Sequence, residues 1–242
     1  MIEDPRIHNI VRNLSSIRNV YAVVSSKGGV GKSTVSTLLA LHASRRFETG
    51  LLDIDFTNPS THILLNLNPG ELKYEEEKGI LPYDLKGLKY FSIVAYTIDK
   101  PLPLRGEAAR SALRELLAIV KWGRLKLLFI DTPPGMSDEH LDLVYMLRDI
   151  VKPIVVSTPS ILSVKSAARL VSVLREAGFK WIGFIENMGN ESLRGNEVLG
   201  DVEYLGYIPY TPGIESCLGS RMVEACIDPG LLDSILSRLT EL

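Results

Sequence analysis

The stretch Ser25-Ser-Lys-Gly-Gly-Val-Gly-Lys-Ser-Thr34 constrains this chain more than any other. It overlaps the end of an apolar run, Val20–Ser26 (VYAVVSS), that reads as a buried strand, and it leads straight into Lys32–Arg46, which reads as a helix. A strand that becomes a helix through three glycines has a backbone free to adopt φ > 0 and to approach a ligand closely. Successive N–H groups in such a turn, with a helix N-terminus behind them, form a positive nest for phosphate. Gly28, Gly29, Val30 and Gly31 supply the turn, Lys32 reaches β- and γ-phosphates, the Ser33 hydroxyl ligates Mg²⁺, and Thr34 completes the loop. The phosphate-loop pattern GxxxxGK[ST] is met only in its second half, because Ser26 stands where its first Gly belongs. Lys27, a second lysine ahead of the glycines, is either a solvated loop cation or a further part of the site.

Short apolar runs alternate with amphipathic segments along the rest of the chain. Strands are expected at Leu51–Asp55, Tyr90–Ala95, Leu125–Asp131, Pro153–Thr158 and Trp181–Glu186; helices at Gly106–Val120, Ile161–Ala177 and Leu231–Leu242. Near-continuous apolar strands between helices predict an α/β fold with a mostly parallel, twisted sheet covered on both faces. Ligands in such sheets bind at the carboxyl ends of the strands. The 242 residues read as a single domain, 1–242, with 66–89 a loop or small insertion and 231–242 a terminal helix. An apolar fraction of 45% excludes a disordered chain, and a net charge of −2 removes the global electrostatic case for nucleic acid or anionic membrane. The start, Met1–Pro5, has no apolar core of a signal peptide, and no run reaches the roughly 18–20 apolar residues of a membrane span, so a cytoplasmic protein is expected.

Two further segments end in carboxylates. In Leu51-Leu-Asp-Ile-Asp-Phe-Thr-Asn-Pro-Ser60 the period of two puts Asp53 and Asp55 on one side of the chain. Asp55 falls where strand becomes loop, a place from which a carboxylate orients a water opposite a γ-phosphate. Asp53 either acts on the metal's water shell or holds the loop. In Leu128-Phe-Ile-Asp-Thr-Pro-Pro-Gly-Met-Ser-Asp138 an apolar strand ends in Asp131, the usual position of a metal-side carboxylate, while Asp138 reads as the cap of a following helix.

With these residues in place the chain resembles the MinD/ParA/Mrp ATPases, and within them the Mrp (ApbC-type) subgroup. The resemblance rests on KGGVGKST at 27–34, DxDxxxPS at Asp53–Ser60, DTPPGMSDEHL at Asp131–Leu141, LRG at 104–106 with Trp122-Gly123, Glu186-Asn-Met188 and Leu205-Gly-Tyr-Ile-Pro209. It implies a three-layer P-loop NTPase fold, ATP and Mg²⁺ as cofactors, and a homodimer that sandwiches ATP. It further implies that Lys27 reaches the partner's nucleotide, that Asp55 positions the hydrolytic water, that Asp131 serves the metal, and that Asn187 and Pro209 lie among the nucleotide contacts.

One departure stands out. Mrp-type scaffolds usually carry Cys-x-x-Cys soon after the Glu-Asn-Met motif, for a 4Fe–4S cluster shared across the dimer; here Met188–Gly200 contains no cysteine. The two thiols, Cys217 (expected in a helix after Pro212) and Cys226, read as small buried hydrophobes in a reducing compartment. A bridging cluster of the usual kind is therefore not expected. Ser26 and Asn58 are smaller departures, each where the subgroup prefers Gly. The four histidines, His8, His42, His62 and His140, show no metal-ligand spacing.

Three functions compete. The first is an ATP-driven dimeric switch in metal-cofactor assembly, working with a client or metallocentre-assembly protein. The second is a MinD- or ParA-like positioning ATPase. Its membrane-binding form is opposed by Asp233 and Glu241 set against a single Arg238 in Leu231–Leu242, and neither membrane nor nucleic acid is expected as a partner. The third is a nucleotide-binding adaptor without turnover, opposed by the intact Lys32, Ser33, Asp55 and Asp131 set.

Overall fold

In the computed structural model, which describes residues 4–97, 104, 106–135, 145, 147–219 and 225–241, the apolar runs become one twisted sheet. The strands are β1 (Ile17–Val24), β2 (Thr49–Asp53), the short pair β3 (Glu75–Glu76) and β4 (Ile80–Leu81), then β5 (Tyr83–Leu85), β6 (Leu88–Ser92), β7 (Leu125–Asp131), β8 (Val151–Ser157), β9 (Gly183–Asn187) and β10 (Glu203–Ile208). Their order in the sheet is β10-β9-β8-β1-β7-β2-β6-β5. Within this eight-stranded sheet every pairing is parallel except that of the edge strand β5 with β6, while β3 and β4 pair antiparallel as a separate two-stranded sheet.

Both faces of the sheet are buried, and the pleat assigns residues to each. Along β1, Val20, Ala22 and Val24 join one hydrophobic cluster while Tyr21 and Val23 join the other; along β7, Leu128 and Ile130 face the first, Leu127 and Phe129 the second. Helices α1 (Pro5–Leu14) and α5 (Gly106–Ile119) contribute to the first cluster, as does α6 (Ile161–Glu176); α2 (Lys32–Ala43) and α7 (Pro229–Glu241) contribute to the second. The one-turn helices α3 (Thr61–Leu64) and α4 (Val94–Thr97) follow β2 and β6. The expected doubly covered parallel sheet is present, with most element ends within about two or three residues of their predicted places.

Two expectations are corrected and two elements are added. Helix α1 has no counterpart in the sequence reading, although its start is written in the chain: the Asp4 side chain accepts from the Arg6 N–H, and Pro5 sits in the first turn. Asn13 then donates to the Leu117 and Ala118 carbonyls at 3.3 and 2.8 Å, closing the last turn of α5. Of the two alternatives for 66–89, the stretch has structure of its own: it holds the β3–β4 hairpin and the sheet-edge strand β5. Cys217 follows a 3-10 turn at Ile214–Ser216 instead of lying in a helix. Finally, Cys217 and Cys226 are joined as a disulfide, with their Cα atoms 6.4 Å apart.

Helix α7 uses its apolar stripe in the core. Leu232, Ile235, Leu236 and Leu239, at helical spacing, are buried. The Tyr21 hydroxyl donates to the Leu239 carbonyl at 2.6 Å, and Asp233 pairs with His42 of α2 at 2.7 Å and with Arg46, just beyond it, at 3.0 Å. Among the described residues no helix is long and apolar enough to cross a membrane. Asp138, His140 and the 136–141 part of the third motif lie outside the described residues, as does Arg105 of LRG.

Candidate functional site

The loop Ser25–Gly31 leaves the C-terminal end of β1 and feeds α2. Gly29 and Gly31 have φ of 79° and 80°, a region L residues seldom occupy, so the turn needs glycine at both. Gly31 is the N-cap of α2, and no side chain caps that helix start. Its first-turn N–H groups therefore lack the side-chain oxygen most helices supply, which suits an anion. Residues 27–34 line a cavity of about 460 Å³ together with Asp55, Ser60, Pro134 and Leu218. Lys27 is half-buried on this wall, and among the described residues its ammonium makes no hydrogen bond or ion pair.

Behind the loop lies a buried ion pair. Parallel pairing puts Asp131 of β7 in register with Val23 of β1 and Asp53 of β2. The Lys32 Nζ lies 2.6 Å from Asp131 Oδ1 and 3.3 Å from Ser33 Oγ, and Ser36 Oγ donates to the same Asp131 oxygen at 3.0 Å. Asp131 is fully buried, and among the described residues its second oxygen, Oδ2, has no hydrogen-bond partner. A buried carboxylate oxygen left open beside a serine hydroxyl is a defect unless something fills it. The hard-oxygen donor set Ser33 and Asp131 fits Mg²⁺.

Asp53 takes the loop-holding alternative. Its Oδ1 accepts from the Asp55 N–H at 3.0 Å; its Oδ2 accepts from Thr61 N–H at 3.3 Å and Thr61 Oγ1 at 2.7 Å. Thr61 Oγ1 lies 2.9 Å from the Tyr90 hydroxyl. One carboxylate thus ties down both ends of the 55–61 segment. Complete burial, and then the neighbouring Asp131 charge, push the Asp53 carboxyl up to about 7. Asp55 lies on the cavity wall, with Oδ1 accepting from Thr57 N–H at 3.1 Å, Thr57 Oγ1 at 2.8 Å and Asn58 N–H at 3.0 Å.

Asn187 ends β9 and contacts the phosphate loop from below. Its Nδ2 donates to the Val30 carbonyl at 2.8 Å, and a Cβ on Gly31 would fall 2.2 Å from that nitrogen. Neither Asn187 nor Pro209, just past β10, belongs to the cavity wall.

Sequence reasoning missed the role of Glu186. It is fully buried, and its carboxylate accepts from the N–H groups of Asn190, Ser192 and Leu193 and from the hydroxyls of Ser192 and Tyr204. It moulds the 188–193 loop and thereby the end of β9. The signal was available: WIGFIE ends an apolar strand in an acid, as LLFID and LLD do.

A glycine nest at the end of the first strand, a lysine and a hydroxyl opening the next helix, and a buried carboxylate on the neighbouring strand together define a P-loop nucleotide-binding protein. The family model described as ParA, NUBPL iron-transfer P-loop NTPase, matches residues 16–197, and the chain belongs to that family. It is 33% identical over 227 residues to the human cytosolic Fe-S cluster assembly factor NUBP2, covering 84% of this chain and 83% of the relative. It is likewise 33% identical over 232 residues to the Nubp2 homolog of Drosophila pseudoobscura pseudoobscura, covering 86% and 89%. Among solved structures, a nucleotide-binding protein from Archaeoglobus fulgidus in complex with ADP superimposes with a TM-score of 0.69 at 28% identity, over 90% of this chain and 93% of that one. The MinD cell division protein of Aquifex aeolicus, at 18% identity, shares the fold with a TM-score of 0.67 over 93% and 98%.

Proposed function

We propose that this chain is a magnesium-dependent ATPase acting in the cytoplasm as a dimeric switch in the maturation of iron–sulfur proteins. The observation that carries the nucleotide chemistry is the Lys32–Asp131 pair with its open Asp131 Oδ2. Arriving phosphates draw Lys32 from the carboxylate, and Ser33 and Asp131 are then placed to hold Mg²⁺, which neutralises phosphate charge. Lys32 and the loop N–H groups bind the β- and γ-phosphates, and Asp55, released in part from Thr57 and Asn58, orients the attacking water. Loss of the γ-phosphate relaxes the 55–61 segment about its Asp53 anchor.

Dimerisation is supported by apolar side chains left exposed on one edge. Ile63, Ile161, Leu162, Met188 and Tyr210 all follow C-terminal strand ends, on the side where the phosphate loop opens. Exposed apolar side chains on one side favour a contact surface there, and Lys27, which among the described residues makes no hydrogen bond or ion pair, lines the cavity on the same side. The iron–sulfur role is supported by the names of the relatives, which describe assembly factors. The residues do not fit a cluster resident on this chain: the 188–200 loop has no cysteine, and both cysteines of the protein are in the disulfide. The cargo is accordingly assigned to a partner or client protein.

ATP turnover by the wild-type protein and by Asp55→Ala tests the reading, alongside sizing of wild type and Lys27→Ala with a non-hydrolysable ATP analogue. Magnesium-dependent turnover lost in Asp55→Ala with binding retained, and analogue-induced dimers lost in Lys27→Ala, are expected. Wild-type binding with turnover no higher than the variant's would leave a nucleotide-binding adaptor.

A further inference from the structure

We infer that the Cys217–Cys226 bridge is a redox latch on the nucleotide pocket, setting how firmly one wall of that pocket is held. The inference rests on the nucleotide reading above and adds a means of regulating it.

The bridge sits between the two parts that must cooperate when nucleotide binds. On one side, Leu218, the neighbour of Cys217, lines the cavity. The Gly219 N–H donates to the Leu64 carbonyl at 2.8 Å, at the end of α3, and Ile63 and Leu64 lie on the same wall. This wall belongs to the segment that Asp53 anchors through Thr61. On the other side, Cys226 stands two residues before Asp228, whose Oδ1 accepts from the Gly230 N–H at the start of α7. Helix α7 is fastened to α2 by the Asp233–His42 pair, with Arg46 just past the helix adding a second contact, and α2 begins at Lys32. The disulfide therefore connects the pocket wall covalently to the support of the phosphate-loop helix. Without it, Leu218 would be positioned by the Gly219–Leu64 hydrogen bond and by burial of the Cys217 side chain.

The two sulfurs differ in access. Cys217 is 7% exposed and packs in the same cluster as Val35 of α2 and Leu232 of α7, whereas Cys226 is only half-buried. A thiolate of a dithiol reductant attacks Sγ of Cys226, the Cys217 sulfur leaves and takes a proton, and the reductant's second thiol resolves the mixed disulfide. Two electrons and two protons pass to the protein, and the reductant becomes a disulfide. Oxidised glutathione runs the reverse reaction, releasing two equivalents of the reduced thiol.

The test uses the full chain in three forms: oxidised with glutathione disulfide, reduced with dithiothreitol, and the Cys217→Ser/Cys226→Ser variant. Alkylation and intact mass report the state of the thiols, and stopped-flow release of a fluorescent ADP analogue reports the latch. Release from the oxidised wild type is expected to be slower by about threefold or more, the size that follows from pre-ordering a single wall side chain. The double variant should match the reduced protein and ignore redox conditions. If that variant does not fold, Cys226→Ser, at the half-buried position, takes its place. Equal release from oxidised and reduced wild type, or two alkylatable thiols after oxidation, overturns the latch alone. Failure of the reduced protein to bind any adenine nucleotide overturns the nucleotide reading and the latch with it.

Discussion

Replacing Lys32 with Met removes the cation from a pair in which the side chains are 6% and 0% exposed. Met preserves most of the side chain's length, so the perturbation is mainly electrostatic. Asp131 then stands in register with Asp53 on the adjacent strand, without the ion-pair partner that Lys32 supplied. Removing one member of a buried pair costs about 3–5 kcal/mol, because the other is left uncompensated. Asp53 relieves this by keeping a proton. Asp53 already does so in the wild-type protein, where it is pushed up to about 7, above its ordinary 3.8. A raised carboxyl means that the native state binds more protons than the unfolded chain, so stability falls as pH rises from about 4 towards the folded value. Without Lys32 that folded value moves higher and the fall continues past neutrality, at up to about 1.4 kcal/mol per pH unit. Urea unfolding of the nucleotide-free protein at pH 8 and pH 6 measures both effects. The expected loss for Lys32→Met is about 3–5 kcal/mol at pH 8 and about 1 kcal/mol less at pH 6, because the wild type itself loses about 1.4 kcal/mol across that interval. Lys32→Met/Asp131→Asn should regain most of it. A loss below about 1 kcal/mol at pH 8, or the same loss at both pH values, refutes the buried-charge argument.

Two other perturbations follow from the same contacts. Glu186→Ala strands the buried Leu193 N–H and leaves a void under the 188–193 loop, with an expected loss of about 2–4 kcal/mol in thermal or chemical unfolding; an unchanged midpoint would show that the loop holds itself. Gly31→Ala forces a side chain into φ of 80° and against Asn187 Nδ2. Calorimetry should show ADP affinity reduced by about tenfold or more, on the order of the 1–3 kcal/mol that such backbone strain represents, and an unaltered affinity would mean the loop accommodates the methyl.

Much of the fold was legible because parallel strands buried on both faces leave unbroken apolar runs, and Leu125–Asp131 is bounded as its sequence pattern predicts. The phosphate loop was legible because only glycine tolerates the backbone that Gly29 and Gly31 adopt. Helix α1 was legible and went unread: Ile7, Ile10, Val11 and Leu14 recur at helical spacing behind the Asp4–Pro5 start. The edge strand β5 is three residues long, and its pairing with β6 comes from sheet geometry, not from its composition.

From sequence alone came the residue types at each strand end: a lysine and serine after the first, acids after β2, β7 and β9. Which of these serve the pocket and which serve the scaffold was decided by tertiary packing. Asp53 and Asp131 are alike in sequence, each closing an apolar strand, yet strand register gives one the loop ends of residues 55–61 and the other the Lys32 ammonium. The pairing of Cys217 with Cys226 was settled in the same way. Local pattern fixes what a segment buries, because burial depends on the period of its own side chains. What a buried polar atom meets depends on neighbours far away in the chain, and those are brought to it only when the sheet has formed.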